Sequence, residues 1–192
     1  VMDYGVKKNI LNELVEAGLQ VEVFPYDTKA DTLIKLFEKG EIQGVFLSNG
    51  PGEPKILKAE IAEIQKLIKA KIPMLGICLG HQALGLCFGA KIQRLKEVAH
   101  ATSSQISLIA QSELFREFPK DFSVMRYHSL EVVDLPRELE ALAYTKDKVL
   151  MAMRHKDLPY FGVQFHPESY FSEYGLKIFE NFLKFKGQTS QK

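Results

Sequence analysis

The first half of the chain alternates short apolar runs with longer amphipathic stretches. The apolar runs predict strands, at residues 1–3, 20–26, 44–48 and 72–77. The stretches between and after them repeat apolar residues at helical spacing, which predicts helices at residues 7–18, 30–40, 58–71 and 79–89. Strands and helices in alternation favour a parallel sheet with helices on both of its faces.

The pattern changes after residue 91, where apolar runs follow one another without long helices between them. These runs predict antiparallel or mixed strands, at residues 106–110, 122–133, 139–145, 149–155 and 160–166. An amphipathic stretch over residues 172–187 then predicts a closing helix with Ser172 as its N-cap. The chain is therefore predicted to be an α/β protein, with an open, mostly parallel sheet flanked by helices and antiparallel strands added in its C-terminal half.

Length and charge limit the possible classes of protein. A chain of 192 residues, 46% hydrophobic and 26% charged, fits one globular domain, predicted here over residues 1–187, with a polar tail at 188–192. Lys and Arg number 25 against 24 Asp and Glu, so the formal net charge is +1 and we expect no nucleic acid or anionic membrane as partner. No apolar run approaches the roughly 20 residues that a membrane span needs.

Cysteine and histidine usage predicts the compartment and the need for metals. Two cysteines are too few for a disulfide framework, and the polar start lacks a signal-peptide pattern, so a reducing, cytoplasmic location is expected. The five histidines show no close pairing with cysteine of the zinc-finger type, so we expect no structural metal. Nothing in the sequence predicts a cofactor.

One of the two cysteines, Cys78, stands between a predicted strand and a predicted helix, flanked by Gly76 and Gly80. This arrangement is typical of a nucleophile elbow, in which a strained turn exposes the reactive side chain at the end of a strand. The start of the following helix favours a thiolate, and the backbone N–H of Leu79 would face an oxyanion on an attacked substrate. The alternative is that Cys78 is simply a buried apolar residue, as we expect for Cys87.

A thiol nucleophile needs a base, and the segment GVQFHPES (162–169) offers one. His166 follows a predicted strand, and Pro167 fixes the turn so that His166 and Glu168 can project toward one place. At this spacing the carboxylate can orient the imidazole, the role that Asp plays in a serine triad. A structural histidine at the end of a strand is the alternative, and the pairing with Glu168 favours the catalytic interpretation.

The segments GICLGHQ (76–82) and GVQFHPES (162–169) together resemble the class I, triad-type glutamine amidotransferases, and the resemblance covers essentially the whole chain. It implies a flavodoxin-like fold and hydrolysis of L-glutamine to glutamate and ammonia. By this resemblance Cys78 is the nucleophile that forms a thioester, His166 the general base and acid, and Glu168 the orienting carboxylate. The ammonia would pass directly to a partner synthase, because in bulk water at neutral pH it becomes ammonium.

The resemblance also implies an oxyanion loop at SNGPGEP (48–54). There the backbone of Gly50 and Gly52 would meet the glutamine and the developing oxyanion, with the N–H of Leu79 as the second donor. A plain Pro-Gly turn is the alternative interpretation of this segment taken alone.

Three further positions match family residues that bind the substrate glutamine. Gln82, one helical turn after Cys78, matches a residue that contacts this glutamine. In the segment RYHSL (126–130), the backbone of Ser129 and Leu130 matches the positions that hold the α-amino and α-carboxyl ends of the substrate.

Two parts of the chain resemble enzymes with different ammonia acceptors. RYHSL (126–130) and the C-terminal segments resemble the amidotransferase components of anthranilate synthase and aminodeoxychorismate synthase. DYGVKKNIL (3–11) and the loop with Asn49 resemble the small subunits of carbamoyl phosphate synthetase, since the chorismate enzymes usually carry another segment and a proline at these places. Because RYHSL is expected to lie nearer the chemistry, we predict that the partner is a chorismate-binding synthase component, with carbamoyl phosphate synthetase as the alternative.

Two other functions would be compatible with the same fold. A cysteine hydrolase of peptides or γ-glutamyl compounds would use the same elbow, but the GPGEP loop and Gln82 match features that serve free glutamine. A non-catalytic binding subunit would be expected to lose Cys78, His166 or Glu168, and all three are present.

Overall fold

The computed structural model describes residues 1–186, and within them nine strands form one sheet. The strands are β1 Met2–Asp3, β2 Phe24–Pro25, β3 Val45–Leu47, β4 Met74–Ile77, β5 Lys91–Leu108, β6 Asp121–Val133, β7 Leu139–Thr145, β8 Leu150–His155 and β9 Tyr160–Val163. The helices are α1 Lys8–Glu16, α2 Ala30–Glu38, α3 Lys58–Lys69, α4 Leu79–Cys87 and α5 Gly175–Lys186, with short 3-10 turns at Pro54–Ile56 and Glu113–Phe115. In this part of the chain no helix combines the length and the apolar character needed to cross a membrane. The predicted polar tail at 188–192, and the predicted domain end at 187, lie outside the described residues.

The parallel half of the sheet has the strand order β2, β1, β3, β4, β9. Every residue of β3, β4 and β9 is buried, as expected of strands covered by helices on both faces. Successive residues of β3 face opposite sides: Phe46 joins the apolar cluster that contains α1 and α5, whereas Val45 and Leu47 join the one that contains α2 and α3. The predicted α/β architecture is confirmed, although β2 has two residues where the sequence predicted a strand over 20–26.

Four strands, in the order β8, β7, β5, β6, extend the sheet from β9 by antiparallel pairing. The sequence-based prediction was wrong about β5, since it placed a strand only at 106–110. The buried apolar residues of its first part, Ile92, Leu95 and Ala99, do not alternate with exposed ones, and the remaining residues are mostly exposed. Two irregularities in the pairing with β6 account for this spacing, and Ala101 has a φ of 51° at the second of them.

The closing helix α5 begins at Gly175, so the predicted N-cap role of Ser172 was wrong. The Ser172 hydroxyl instead donates to the carbonyl of His166 at 2.6 Å and accepts from the N–H of Met125 at 2.9 Å. A Cβ on Gly175 would lie 1.9 Å from the carbonyl oxygen of Pro167, so α5 starts directly against the turn after β9. The helix and Ser172 thereby support the backbone that carries His166.

Candidate active site

The two motifs of the sequence meet at the carboxyl ends of neighbouring parallel strands. Cys78 follows β4, whereas His166 and Glu168 follow β9, and the two strands pair in a register that places Ile77 opposite Val163. The N–H of Cys78 donates to the carbonyl of Val163 at 2.9 Å and so continues the pairing. Ligands of open α/β sheets bind at this edge, which makes it the candidate active site.

Cys78 occupies a strained turn between β4 and α4. Its φ of 52° and ψ of −103° lie outside the regions that residues with a side chain normally adopt. A Cβ on Gly80 would lie 2.1 Å from the carbonyl oxygen of Leu47, and a Cβ on Gly76 would lie 2.6 Å from the carbonyl of Gly80. The close approach of β3, β4 and α4 at this turn therefore requires both glycines. Cys78 is buried, with 8% of its surface exposed.

His166 and Glu168 form a buried pair next to Cys78. Nδ1 of His166 lies 2.6 Å from Oε1 of Glu168, and each side chain is 3% exposed. Burial lowers the pKa of His166, but interactions with Cys78 and with Glu168 outweigh it and raise the pKa to about 9. The imidazole is therefore charged at neutral pH and donates its Nδ1–H to the carboxylate. Within residues 1–186, Nε2 of His166 is buried without a hydrogen-bond partner.

Two other segments of the chain contact this pair. The carbonyl of Glu168 accepts from Nδ2 of Asn9 at 3.1 Å, and Nζ of Lys7 lies 3.8 Å from Oε1 of Glu168. Lys7 Nζ also lies 4.4 Å from the ring centre of Tyr127, and that ring packs edge-on against His166 with 5.1 Å between centroids. The segment after β1 and the strand β6 therefore both reach the candidate site.

The predicted oxyanion loop follows β3 and lies against the start of α4. A Cβ on Gly50 would be 2.0 Å from the carbonyl oxygen of Tyr4 and 2.9 Å from Cδ2 of Leu79. Gly50 and Leu79 are therefore neighbours, as their predicted shared role requires. Gly52 is exposed and has a φ of 97°, a backbone conformation that favours glycine.

Asn49 connects this loop to the segment after β1. Its Oδ1 accepts from the N–H of Lys7 and its Nδ2 donates to the carbonyl of Gly5, both at 3.4 Å. The hydroxyl of Ser48 accepts from the N–H of Tyr4 at 2.9 Å and adds a third connection. Two features that are far apart in the sequence, Asn49 and the segment after β1, therefore form one structural unit.

Gln82 is 3% exposed and uses its amide nitrogen within the protein. Nε2 donates to the carbonyl of Leu130 at 3.1 Å and to Oε1 of Gln164 at 2.9 Å. Both amide hydrogens are thus engaged, and the side-chain oxygen is the atom left for the predicted contact with glutamine. Ser129, the neighbour of Leu130 on β6, is half-buried.

Gln164 is a residue of the site that the sequence reasoning missed. It is fully buried, and its Nε2 lies 3.6 Å from Sγ of Cys78. The sequence contained one signal, because a glutamine within the apolar run YFGVQF has to find polar partners if the strand is buried.

The second cysteine has no comparable environment. Cys87 is half-buried near the end of α4, and its Sγ lies 3.7 Å from the carbonyl of Ile61. Burial raises the pKa of this thiol to about 12, so it stays protonated at neutral pH. Over residues 1–186 no group of three or more His, Cys, Asp or Glu side chains is arranged to hold a metal ion.

Comparisons with known proteins show what the whole chain is similar to. The family model of the class-I glutamine amidotransferases matches residues 1–185. The carbamoyl phosphate synthase small chain of Campylobacter jejuni is 47% identical over 192 residues, which cover 95% of this chain and 49% of that protein, so the chain spans about half the length of this relative. Anthranilate synthase component 2 of Mycobacterium tuberculosis is 36% identical over 187 residues, 94% of this chain and 78% of that protein. A solved structure from Thermoplasma acidophilum, named after a component of GMP synthase, has a TM-score of 0.88 at 26% identity and covers 98% of this chain and 92% of its own.

Proposed function

The chain belongs to the class I glutamine amidotransferase family, and from that premise we propose that it hydrolyses L-glutamine to glutamate and ammonia for a partner synthase. In this proposal Cys78 is the nucleophile, His166 the general acid and base, and Glu168 the carboxylate that orients the imidazole. One observation carries it: the strained Cys78 turn and the buried His166–Glu168 pair stand at the carboxyl ends of the paired strands β4 and β9.

The reaction begins when the Cys78 thiolate attacks the side-chain amide carbon of glutamine. His166, charged at neutral pH because its pKa is raised to about 9, donates a proton to the leaving nitrogen, and the C–N bond breaks to release ammonia. A thioester remains on Cys78. The neutral imidazole then removes a proton from water, which attacks the thioester, and glutamate leaves as the thiolate and imidazolium are restored.

The backbone around Cys78 supplies the oxyanion donors in this proposal. The N–H of Leu79 is at the start of α4, where the helix presents unpaired donors, and Gly50 lies against the Leu79 side chain. Gly52 supplies the outer part of the same loop.

The remaining contacts with glutamine come from Gln82 and from β6. The free side-chain oxygen of Gln82 can accept a hydrogen bond from the substrate. The backbone of Ser129 and Leu130 holds the α-amino and α-carboxyl ends. The Leu130 carbonyl already accepts hydrogen bonds from Gln82 and from His128. In this proposal Leu130 therefore offers the substrate its backbone N–H rather than its carbonyl.

Replacement of Cys78 by alanine tests the chemistry. We expect Cys78→Ala to lower glutamine hydrolysis by about a thousandfold or more, because the covalent step is lost, while the partner still uses added ammonia. Cys87→Ala is the matched control and should keep full activity, since that thiol is protonated and lies in another environment. Glutamine hydrolysis that persists in Cys78→Ala would refute the mechanism, and turnover of γ-glutamyl compounds in preference to glutamine would favour the cysteine hydrolase.

For the ammonia acceptor, we propose the large subunit of a carbamoyl phosphate synthetase. The relative from Campylobacter jejuni, a carbamoyl phosphate synthase small chain, supports this choice with 47% identity over 95% of the chain. The sequence alone favoured a chorismate-binding subunit, on the argument that RYHSL (126–130) lies nearer the chemistry. The contacts of the segment after β1 remove that argument, because Lys7 and Asn9 both reach Glu168.

A chorismate-binding synthase subunit is the second candidate. The segment RYHSL supports it, since Tyr127 packs against His166 and the Leu130 carbonyl accepts from Gln82. The identity of 36% with anthranilate synthase component 2, covering 78% of that protein, supports it as well.

Co-purification followed by two assays distinguishes the candidates. The tagged chain is purified from its own cells with its bound partner, and the complex is supplied with glutamine. Formation of carbamoyl phosphate from bicarbonate and ATP supports the first candidate. Formation of anthranilate or aminodeoxychorismate from chorismate overturns it in favour of the second. The Cys78→Ala complex is the control in both assays, since its product formation should require added ammonia.

A further inference from the structure

We propose that Gln164 is a positioning residue that donates an N–H to the Cys78 sulfur and favours its thiolate form. The inference rests on the proposed function, in which that sulfur is the nucleophile. Gln164 is fully buried one residue beyond β9, and its Nε2 lies 3.6 Å from Sγ of Cys78. Burying a side-chain amide costs free energy unless its oxygen and nitrogen make hydrogen bonds. The neighbouring groups therefore determine which way the Gln164 amide is turned.

The surroundings determine which end of the Gln164 amide faces the sulfur. A backbone carbonyl can only accept hydrogen bonds, so the carbonyl of Leu130 orients the NH2 group of Gln82 toward itself, at 3.1 Å. The same NH2 group lies 2.9 Å from the Gln164 amide, which must present its oxygen there. The nitrogen of Gln164 is then left to face Cys78.

His128 is the other donor to the Leu130 carbonyl. Nδ1 of His128 lies 2.8 Å from that carbonyl, and Nε2 of His128 accepts from Nε of Arg126 at 3.0 Å. An arginine can only donate, so the single proton of the neutral ring is on Nδ1. Burial lowers the pKa of His128 to about 4, which keeps the ring neutral. The Leu130 carbonyl therefore accepts two hydrogen bonds, one from His128 and one from Gln82. The donor series that ends at Cys78 starts from the Gln82 NH2 group and passes through Gln164.

The consequence is an N–H donor fixed at the nucleophile before substrate binds. A thiolate accepts such a bond better than a thiol, so the donor favours the thiolate form of the nucleophile. Other charged and titratable groups also face this region and stay constant in the comparison: His81 on α4, Arg126 and His128 on β6, His166 and Glu168 after β9, and Lys7 before α1.

Alkylation of Cys78 by iodoacetamide across pH tests the proposal without requiring glutamine turnover. Cys87→Ala serves as the parent, so that one cysteine remains. Gln164→Met removes the donor at similar side-chain length. The pH at which the alkylation rate is half of its maximum should therefore rise by about one pH unit. Gln164→Glu keeps an oxygen for Gln82 but places a carboxylate at the sulfur, since a glutamate ionises before a thiol, and the midpoint should rise further.

Gln93→Met is the matched control. It removes an amide that donates to Oε1 of Glu131 at 2.9 Å, outside the network that reaches Cys78, and should leave the midpoint unchanged. A pH midpoint in Gln164→Glu equal to that of the parent overturns the proposal. Because this variant is nearly isosteric with the wild type, it provides the test in case Gln164→Met does not fold. Glutamine hydrolysis is measured in parallel. If the Cys87→Ala parent is alkylated normally but does not hydrolyse glutamine, the proposed function is refuted. The role of Gln164 is then still tested by the pH midpoints of Cys78 alkylation in the Gln164 variants.

Discussion

Replacement of Glu168 by glutamine should weaken the dependence of folding stability on alkaline pH. The carboxylate lies 2.6 Å from Nδ1 of His166, and the two side chains are almost completely buried. Burial opposes the charged imidazole, whereas Cys78 and Glu168 favour it strongly enough to raise its pKa to about 9. Glu168→Gln keeps the shape of the side chain and removes the negative charge, so the pKa of His166 should fall.

The sign and size of the effect follow from linkage between protonation and folding. The pKa of His166 is about 9 in the folded protein and about 6.5 in the unfolded chain. The protonated pair therefore contributes stability that is fully present below about pH 6.5 and is lost as the pH rises through about 9. This shift corresponds to about 3 kcal/mol of unfolding free energy. A hydrogen bond to a charged group contributes about 1.5 to 3 kcal/mol, so Glu168→Gln should remove at least about half of the dependence.

Urea unfolding at about pH 6 and about pH 10 measures this dependence in the wild type and the variant. Glu140→Gln is the matched control, because Glu140 pairs with Arg154 rather than with a histidine, at 2.7 Å and partly exposed. This control should keep the full difference between the two pH values. If the unfolding free energy changes equally between the two pH values in the wild type and in Glu168→Gln, the reasoning is refuted. Glu168 would then not be what stabilises the charged form of His166.

Two further predictions concern the turn and the loop beside Cys78. Gly80→Ala should destabilise the fold by about 1 to 3 kcal/mol or more in urea unfolding, because its Cβ would lie 2.1 Å from the backbone oxygen of Leu47. Gly85→Ala in the same helix is its control: the nearest atom is a methyl of Val132 at 3.1 Å, so a cost as large as that of Gly80→Ala would contradict the steric argument. Asn49→Ala should cost about 1 kcal/mol and raise the KM for glutamine, because two hydrogen bonds to the segment after β1 are lost. An unchanged unfolding free energy and KM would show that these bonds do not hold the loop.

The sequence predicted the fold best where local signals and tertiary packing agree. Helix α2 was predicted over residues 30–40 and ends at Glu38, before Gly40 with its φ of 74°. Strand β5 was largely missed, because its pairing is long-range and its bulges break the alternation of apolar residues. Strand β2 is shorter than its alternating pattern suggests, since only Phe24 and Pro25 pair with β1.

The candidate site shows the same division between local and long-range signals. Each motif marks its own turn, so Cys78, His166 and Glu168 could be predicted from short segments. The role of Gln164 depends on contacts with Gln82 and with Cys78, which are 82 and 86 residues away in the chain. A sequence pattern read within a short window contains no such pairing, and only the fold brings these amides together.

The choice of ammonia acceptor illustrates why distance from the chemistry is a weak criterion in this protein. RYHSL (126–130) and the segment after β1 are separate in the sequence, and only RYHSL is expected there to lie near the chemistry. In the structure Lys7 contacts both Glu168 and the ring of Tyr127, and that ring packs against His166. The two signals therefore meet at the same buried pair, and neither is nearer to it in a way that could decide between synthases. The decision rests on similarity over the whole chain and on the product that the assembled complex makes.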